Sequence, residues 1–311
     1  MENDKLPYIS VIITAYNRKE FLLNAIKSVL NQTIDKKYYE IIVIKNFREQ
    51  NIDDFINKNK IIGIVSNQES LIGKLVEALN IARGTVISFL DDDDLFFENK
   101  LGIVYKKFRK DNNIIYYHNC YVPINTNGKT INVNKVNIDP DFNMSSISIK
   151  KSIVKINNAD KINMLQDTLM YLYALESNEK IINGREKLTY YMVHNSASNI
   201  VATNFEEYRE RALTIIEETL KSYIILEGLF NLPKSINFIN ARITGFKING
   251  YMFGLKEKPK NLINYILNNS FTLKFRIKFL LVYILIEIKP NFRKYIYKRV
   301  WRNYKQIIIN L

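Results

Sequence analysis

Little in this chain bends it sharply or crosslinks it. Its 311 residues include 10 Gly and 6 Pro, too few for a loop-rich or fibrous protein. The single cysteine, Cys120, excludes an intrachain disulfide. It sits in the strand-like string Tyr116-Tyr117-His118-Asn119-Cys120 and reads as a buried, unreactive thiol, in keeping with a reducing, cytoplasmic setting. The opening residues MENDKLP lack the basic and apolar segments of a secretion signal, so nothing there marks the chain for export. No internal repeat is visible, and no low-complexity tract beyond a bias to Ile, Asn and Lys. The apolar run FLLVYILI, residues 279–286, falls far short of the ~20 residues a spanning helix needs.

What is present is an ordinary globular composition, 47% hydrophobic, with a net charge of +14. The charge is uneven. Residues 270–311 hold ten Lys or Arg against one acidic residue, Glu287, about two thirds of the excess. Such a tail implies an anionic partner.

Residues 8–14, YISVIIT, form a β-branched apolar run that predicts a buried strand. A turn follows at Ala15-Tyr16-Asn17-Arg18. Phe21, Leu22, Ala25, Ile26, Val29 and Leu30 then recur at helical spacing, predicting a helix of about four turns. Residues 40–44, EIIVI, read as a second strand, which makes a βαβ unit and implies a parallel sheet. A polar stretch, 46–60, leads to a third strand at 61–65 and a helix at 71–82. A fourth strand, 86–90, is entered through Gly84, and the next helix is expected at 95–109. Further on, the pattern predicts a turn at 125–128, a strand at 145–150, a helix at 165–175 and a strand at 189–193. Beyond residue 204 the strands stop and three or four helices are expected. The predicted organisation is thus an α/β domain over 1–204 and a helical region over 205–311.

The fourth strand ends abruptly in Asp91-Asp92-Asp93-Asp94. Ligands of open α/β sheets bind beyond the carboxyl ends of the strands, which is where this run falls. Four unpaired carboxylates would repel one another, and a divalent cation removes that repulsion. Mg²⁺ or Mn²⁺ is suited by one or two carboxylates together with substrate phosphates. Read alone, the run serves equally as an acidic turn capping the following helix.

The strings YISVIITAYNRKEFLLNAIKSVLNQT, YEIIVI, ARGTVISFLDDDDLF, LQDTLMYLYAL and YYMVHNSAS occur in this order over roughly residues 8–200. Together they resemble family 2 glycosyltransferases of archaeal or bacterial type, inverting enzymes of the GT-A fold. The resemblance implies a Rossmann-like, mostly parallel sheet with flanking helices, a nucleoside-diphosphate sugar as donor and a divalent cation as cofactor. By it, Asp93 and Asp91 are the metal ligands and Asp92 reaches the ribose. Thr14, Ala15, Tyr16 and Asn17 help hold the nucleotide, His194 lies near the diphosphate, and Asp167 is the general base. Asp94 is left to cap a helix, and Tyr16 reads otherwise as a buried aromatic.

Two positions depart from the family pattern. Where an Asp-Asp pair usually follows the second strand, this chain has Lys45 and Asn46. A lysine cannot accept a hydrogen bond from a uracil imide, so a weaker uracil preference is expected, with Lys45 free to meet a phosphate or another base. The residue before the base is Gln166 instead of glutamate. No Q-x-x-R-W string occurs, and the sole Trp, Trp301, lies in the tail, which argues against polymer-extruding members.

After Pro290, Phe292, Tyr295, Ile296, Val300, Tyr304 and Ile307 recur at helical spacing with basic residues between them. This is the pattern of a helix lying in a membrane interface, or of one packed on the domain with a basic outer face. No nucleic-acid fold signature accompanies the charge. The resemblance implies a nucleoside-diphosphate sugar and a saccharide or polyprenyl-linked acceptor with a hydroxyl to glycosylate as partners, and the tail adds an anionic membrane surface. The location that follows is cytoplasmic and peripheral, at the inner face of the cell membrane. Two alternatives remain: a catalytically impaired adaptor on the same fold, or a nucleotidyltransferase. The latter would normally need a glycine in the turn after the first strand, where there is none.

Overall fold

A computed structural model describes residues 6–132, 138–155, 162, 164–193, 202–260, 262–267 and 273–309. The chain forms two compact units, Met1–Met192 and Val193–Leu311.

The first unit is built on an eight-stranded sheet. Its strands are β1 (Ile9–Ala15), β2 (Tyr39–Lys45), β3 (Ile62–Val65), β4 (Val86–Asp91), β5 (Leu95–Phe96), β6 (Ile114–Ile124), β7 (Ile147–Lys150) and β8 (Lys180–Met192), in the order β3-β2-β1-β4-β7-β6-β8-β5. The first four pair in parallel, β7 runs antiparallel to β4 and β6, and β6 pairs in parallel with β8. With helices α1 (Leu22–Leu30), α2 (Gln50–Lys58), α3 (Leu71–Ile81), α4 (Lys100–Lys110) and α5 (Gln166–Ser177) flanking it, this is the GT-A arrangement expected from the sequence. Val11, Ile12 and Ile13 of β1 are wholly buried, each such side chain contributing about 1.5–3 kcal/mol relative to exposure. Gly84 is required where β4 is entered. A Cβ there would lie 2.4 Å from the backbone nitrogen of Ser10, and the Gly84 amide donates to Ser10 Oγ at 2.8 Å.

The structure corrects several expected boundaries. Helix α1 spans nine residues, so Phe21 and the residues before it belong to the preceding turn. The polar stretch 46–60 contains α2, whose Glu49 cap accepts from the Ile52 amide and whose Ile52 and Ile56, one turn apart, are buried. The segment from Leu95 does not open a helix. Leu95 and Phe96 instead pair with Tyr190 and Thr189 of β8, and α4 starts at Lys100. Strand β8 runs thirteen residues; none of its first eight is buried, and that polarity hid it. The turn at 125–128 forms, with the Gly128 amide donating to the Asn125 carbonyl at 2.8 Å and a single antiparallel bridge from Ile124 to Thr130.

The second unit is helical: α6 (Phe205–Glu227), α7 (Pro233–Phe253), α8 (Leu262–Leu267), α9 (Leu273–Ile288) and α10 (Phe292–Ile309). Asn204 caps α6 by accepting from the Glu207 amide, and Pro233 opens α7, where its missing N–H costs nothing. Tyr283 of α9 packs with Ala241, Ile248 and Tyr265, and Met252, Ile286 and Ile296 join α7, α9 and α10. No helix among the described residues is long and apolar enough to cross a membrane.

Candidate functional site

The register between β1 and β4 sets Thr14 opposite Asp91. Thr14 Oγ1 donates to Asp91 Oδ1 at 3.2 Å, and the Asp92 amide donates to the Thr14 carbonyl at 3.1 Å. A tight turn, closed by the Asp94 amide on the Asp91 carbonyl at 3.2 Å, then sends the four carboxylates to different places. Asp94 folds inward and is buried, and its Oδ1 accepts from the Met192 amide at 2.8 Å. It ties the acidic turn to the end of β8 and caps no helix. Asp92 is buried and Asp93 partly exposed, and the Arg18 guanidinium spans both: it pairs with Asp92 Oδ1, and Nη1 lies 2.7 Å from Asp93 Oδ2. Lys100 is buried beneath, donating to the Ser145 carbonyl and to Thr189 Oγ1 at 3.0 Å; burial holds its amine well below the ordinary lysine range.

Desolvation and the charges of Asp93 and Asp92 push the Asp91 carboxyl up to about 7. Desolvation also lifts Asp92, to about 6, even with Arg18 beside it. Asp92 Oδ2 and Asp94 Oδ2 are buried without a hydrogen-bond partner among the described residues. Such a cluster is short of positive charge, which a divalent cation would supply. Among the described residues no three His, Cys, Asp or Glu converge on one point. The two partly exposed carboxylates, Asp91 and Asp93, match a Mg²⁺ or Mn²⁺ ion that takes one or two carboxylates and completes its shell with phosphates and water.

On the nucleotide side, Asn17 adopts a left-handed φ of 57°. Its amide donates to Asn46 Oδ1 at 2.9 Å, and Asn46 Nδ2 donates to Asn17 Oδ1 at 2.8 Å. This reciprocal clasp fixes the β1–α1 loop to the end of β2. Ala15 is buried, whereas Tyr16 is 50% exposed, so it is not a core aromatic. Lys74 Nζ lies 4.7 Å from the Tyr16 ring centroid. Lys45 is buried and not free to meet a ligand: Nζ lies 2.7 Å from Asp53 Oδ1 and donates to the Phe47 carbonyl at 2.7 Å. Burial works to raise the Asp53 carboxyl, but the bonds from Lys45 and from the Glu49 amide, with the charges of Lys45 and Arg48, together outweigh it and hold the group below the usual range. A carboxylate thus does reach this end of β2, from α2, with its charge already neutralised.

On the other side of the acidic run, Asp167 sits partly exposed in the first turn of α5. Oδ2 accepts from the Asn143 amide at 3.1 Å and Oδ1 from the Thr168 amide at 2.9 Å. Asp141 stands beside it, buried, accepting from Thr168 Oγ1 at 3.1 Å. Its turn is pinned by His118 Nε2 on the Phe142 carbonyl at 2.8 Å and by the Tyr116 hydroxyl on the Pro140 carbonyl. Desolvation, then the Asp141 charge, raise the Asp167 carboxyl to about 6. Asn143 Oδ1 accepts from the Ser145 amide at 2.9 Å, and Ser145 Oγ accepts from the Asp91 amide at 2.9 Å, so a short run of hydrogen bonds links Asp167 to the acidic turn. Asp141→Asn keeps an acceptor for Thr168 but removes a like charge, so the Asp167 pKa is expected to fall. A base works when ionised, so the rising limb of the turnover–pH profile should move to lower pH, with the plateau close to wild type. An unmoved limb would show that Asp141 does not act on Asp167.

The structure therefore brings Thr14, Asp91, Asp92, Asp93 and Asp167 together, with Tyr16 and Asn17 on the adjoining loop. His194 lies outside the described residues. Arg18, Asn143, Asp141 and Asp53 were not singled out from the sequence. Arg18 stands in the same turn as Asn17, but nothing local shows that it reaches the acidic run.

Residues 10–166 match the profile of Glycosyl transferase family 2. An uncharacterized glycosyltransferase of Rickettsia bellii is 38% identical over 125 residues, 39% of this chain and 18% of that one. The chain spans about a fifth of the length of the Rickettsia relatives it matches. The Escherichia coli UDP-Glc:alpha-D-GlcNAc-diphosphoundecaprenol beta-1,3-glucosyltransferase WfaP is 28% identical over 209 residues, 64% of this chain and 82% of that one. An uncharacterized glycosyltransferase of Methanocaldococcus jannaschii is 28% identical over 302 residues, covering 94% and 92%. Among solved structures, Staphylococcus aureus TarS 1-349 in complex with UDP-GlcNAc aligns with a TM-score of 0.54 at 15% identity, over 95% of this chain and 91% of that one, a likeness of fold.

Proposed function

The chain belongs to Glycosyl transferase family 2, and on that premise we propose that it transfers a sugar from a nucleoside diphosphate to an acceptor hydroxyl with inversion. The observation that carries the reading is Asp167: a partly exposed carboxylate, held by two backbone amides and linked through Asn143 and Ser145 to Asp91 of the acidic run. In an inverting transfer the hydroxyl attacks the anomeric carbon from the face opposite the diphosphate. It must shed its proton as it does so, and Asp167 is the base that accepts it.

Thr14, Ala15, Tyr16 and Asn17 shape the nucleotide loop, with Asp92 toward the ribose, and His194 is assigned to the diphosphate. Asp91 and Asp93 would hold Mg²⁺ or Mn²⁺, which supplies positive charge where the leaving diphosphate gathers negative charge. Arg18, 31% exposed on its side chain and already between Asp92 and Asp93, adds a second cation within the same loop. Residues 1–204 are read as the catalytic domain and 205–311 as its helical appendage. The acceptor is read as a saccharide or polyprenyl-linked glycan, and the location as the cytoplasmic face of the membrane. The name of the E. coli relative, with its diphosphoundecaprenol acceptor, and the basic tail support this. Incubation of the protein with labelled nucleotide sugars and a membrane lipid extract should put label into the lipid-linked fraction. Incorporation of the nucleotide in place of the sugar would support a nucleotidyltransferase, and no incorporation with any donor an impaired adaptor.

Base preference follows from Lys45. Its ammonium already occupies Asp53, the carboxylate that reaches this end of β2, so Asp53 is not free to accept from a uracil imide. UDP is therefore expected to be only weakly preferred over GDP in binding. Strong selectivity for UDP that survives Lys45→Ala would contradict this.

A further inference from the structure

The sequence pattern leaves the apolar stripe of α10 to face a membrane or to pack internally; in the structure three of its members pack, while Tyr295 is exposed. Phe292, Ile296 and Val300 pack with Met252, Ile286 and Val282. The exposed apolar surface lies instead on α9. Leu273, Ile277, Leu281, Ile284, Leu285 and Ile288 are all exposed, and their spacing sets them on one face of the helix. Ile263 and Leu267 of α8, the helix that precedes α9, are each 72% exposed as well. The opposite face of α9 is the buried one, through Tyr283 and Ile286. An apolar row of this length in water marks a contact surface.

Charge identifies what covers it. Lys278 and Lys289 are exposed, each one residue beyond an apolar member of the row. Lys294, Lys298, Arg299 and Arg302 are exposed on α10. The one acidic residue of the tail, Glu287, is already tied to Lys258 at 2.8 Å and to the Tyr251 hydroxyl. A second copy docking through this face would bring two strongly basic tails together, which like-charge repulsion opposes. An anionic bilayer meets both demands, taking the apolar side chains below the headgroups and the lysines among them.

We infer that the exposed face of α8 and α9, rather than α10, is the surface by which this protein lies on an anionic membrane. The inference gives a place to the membrane partner of the proposed function but does not depend on the reaction.

Co-sedimentation with vesicles tests it, using equal parts phosphatidylglycerol and phosphatidylcholine against phosphatidylcholine alone. The full chain should bind the anionic vesicles and lose much of that binding at high salt. The triple variant Ile277→Ser, Leu281→Ser, Leu285→Ser removes only exposed side chains and should bind about tenfold more weakly or worse. The pair Lys278→Glu, Lys289→Glu, which leaves the apolar row intact, should also weaken binding about tenfold or more at low salt. Tyr295→Ser on α10 should bind as wild type. Melting curves with Mn²⁺ and a nucleoside diphosphate, run on the same variants, report the fold and the donor site independently of the membrane. Wild-type sedimentation by both the triple and the pair would overturn the inference, as would a loss with Tyr295→Ser equal to that of the triple. So would a wild-type chain that ignores vesicles and forms dimers which the triple variant abolishes.

Discussion

Asp167→Asn is expected to lower turnover by about 10²–10⁴-fold, the usual worth of general-base catalysis. Asparagine is nearly isosteric and its Oδ1 can keep one of the two amide bonds that hold the carboxylate, so α5 should retain its first turn. What it cannot do is take a proton. The melting-temperature rise given by donor and metal should stay near wild type, because Thr14, Asp91, Asp93 and Arg18 are untouched. The wild-type pH profile carries a matching signature. With the carboxyl raised to about 6, the base is largely protonated below that pH and ionised above it, so turnover should climb as pH rises through about 6. The product of the wild-type reaction should have the inverted anomeric configuration, read by the proton coupling at the new linkage. A variant with nearly full turnover, or a product of retained configuration, would reduce Asp167 to a helix-terminal carboxylate.

Asp93→Asn should remove the divalent-cation dependence of nucleoside diphosphate binding. Asp93 is a partly exposed carboxylate of the run, and Arg18 already balances it. Asparagine there leaves Arg18 paired with Asp92, so the loop should keep its shape while the site loses a proposed cation ligand. At a ligand concentration 100 times Kd, binding stabilises the folded state by about 2.7 kcal/mol. The share of the melting shift that EDTA abolishes in wild type should be absent in the variant. A variant with the full cation-dependent shift would mean that Asp93 is not the ligand.

Most of the parallel half of the fold was legible because β1, β2 and β4 are buried on both faces and read as apolar runs. The first βαβ unit and the acidic run at the end of β4 follow directly from that. Elements outside this regime were hidden. Strand β5 has two residues, too few for any periodicity, so Leu95 and Phe96 read as the start of a helix. The first half of β8 is solvated and looks like loop. Helix α2 hid in a polar stretch, and with it Asp53, the partner of Lys45.

The site divided in the same way. Asp91, Asp93 and Asp167 stood out because they lie in strings shared with a known family. Arg18 lies 74 residues from Asp92 in the chain, and Asn143 lies 24 from Asp167; no local pattern announces such neighbours. Asp94 was assigned to a helix cap, but the helix begins later and the side chain turns inward to the end of β8. The tail shows the limit of periodicity in another way. Both α9 and α10 carry apolar residues at helical spacing, and only packing decides which face is spent internally.

The central claim is that the acidic turn and the loop after β1 form a cation-assisted nucleoside diphosphate site. Calorimetric titration of the wild-type chain with UDP and with GDP, each in Mn²⁺ and in EDTA, tests it most directly. The account predicts saturable binding of at least one nucleotide in Mn²⁺ and a loss of about tenfold or more in affinity in EDTA. Binding of equal strength in the two buffers, or no binding of either nucleotide in Mn²⁺, would contradict it.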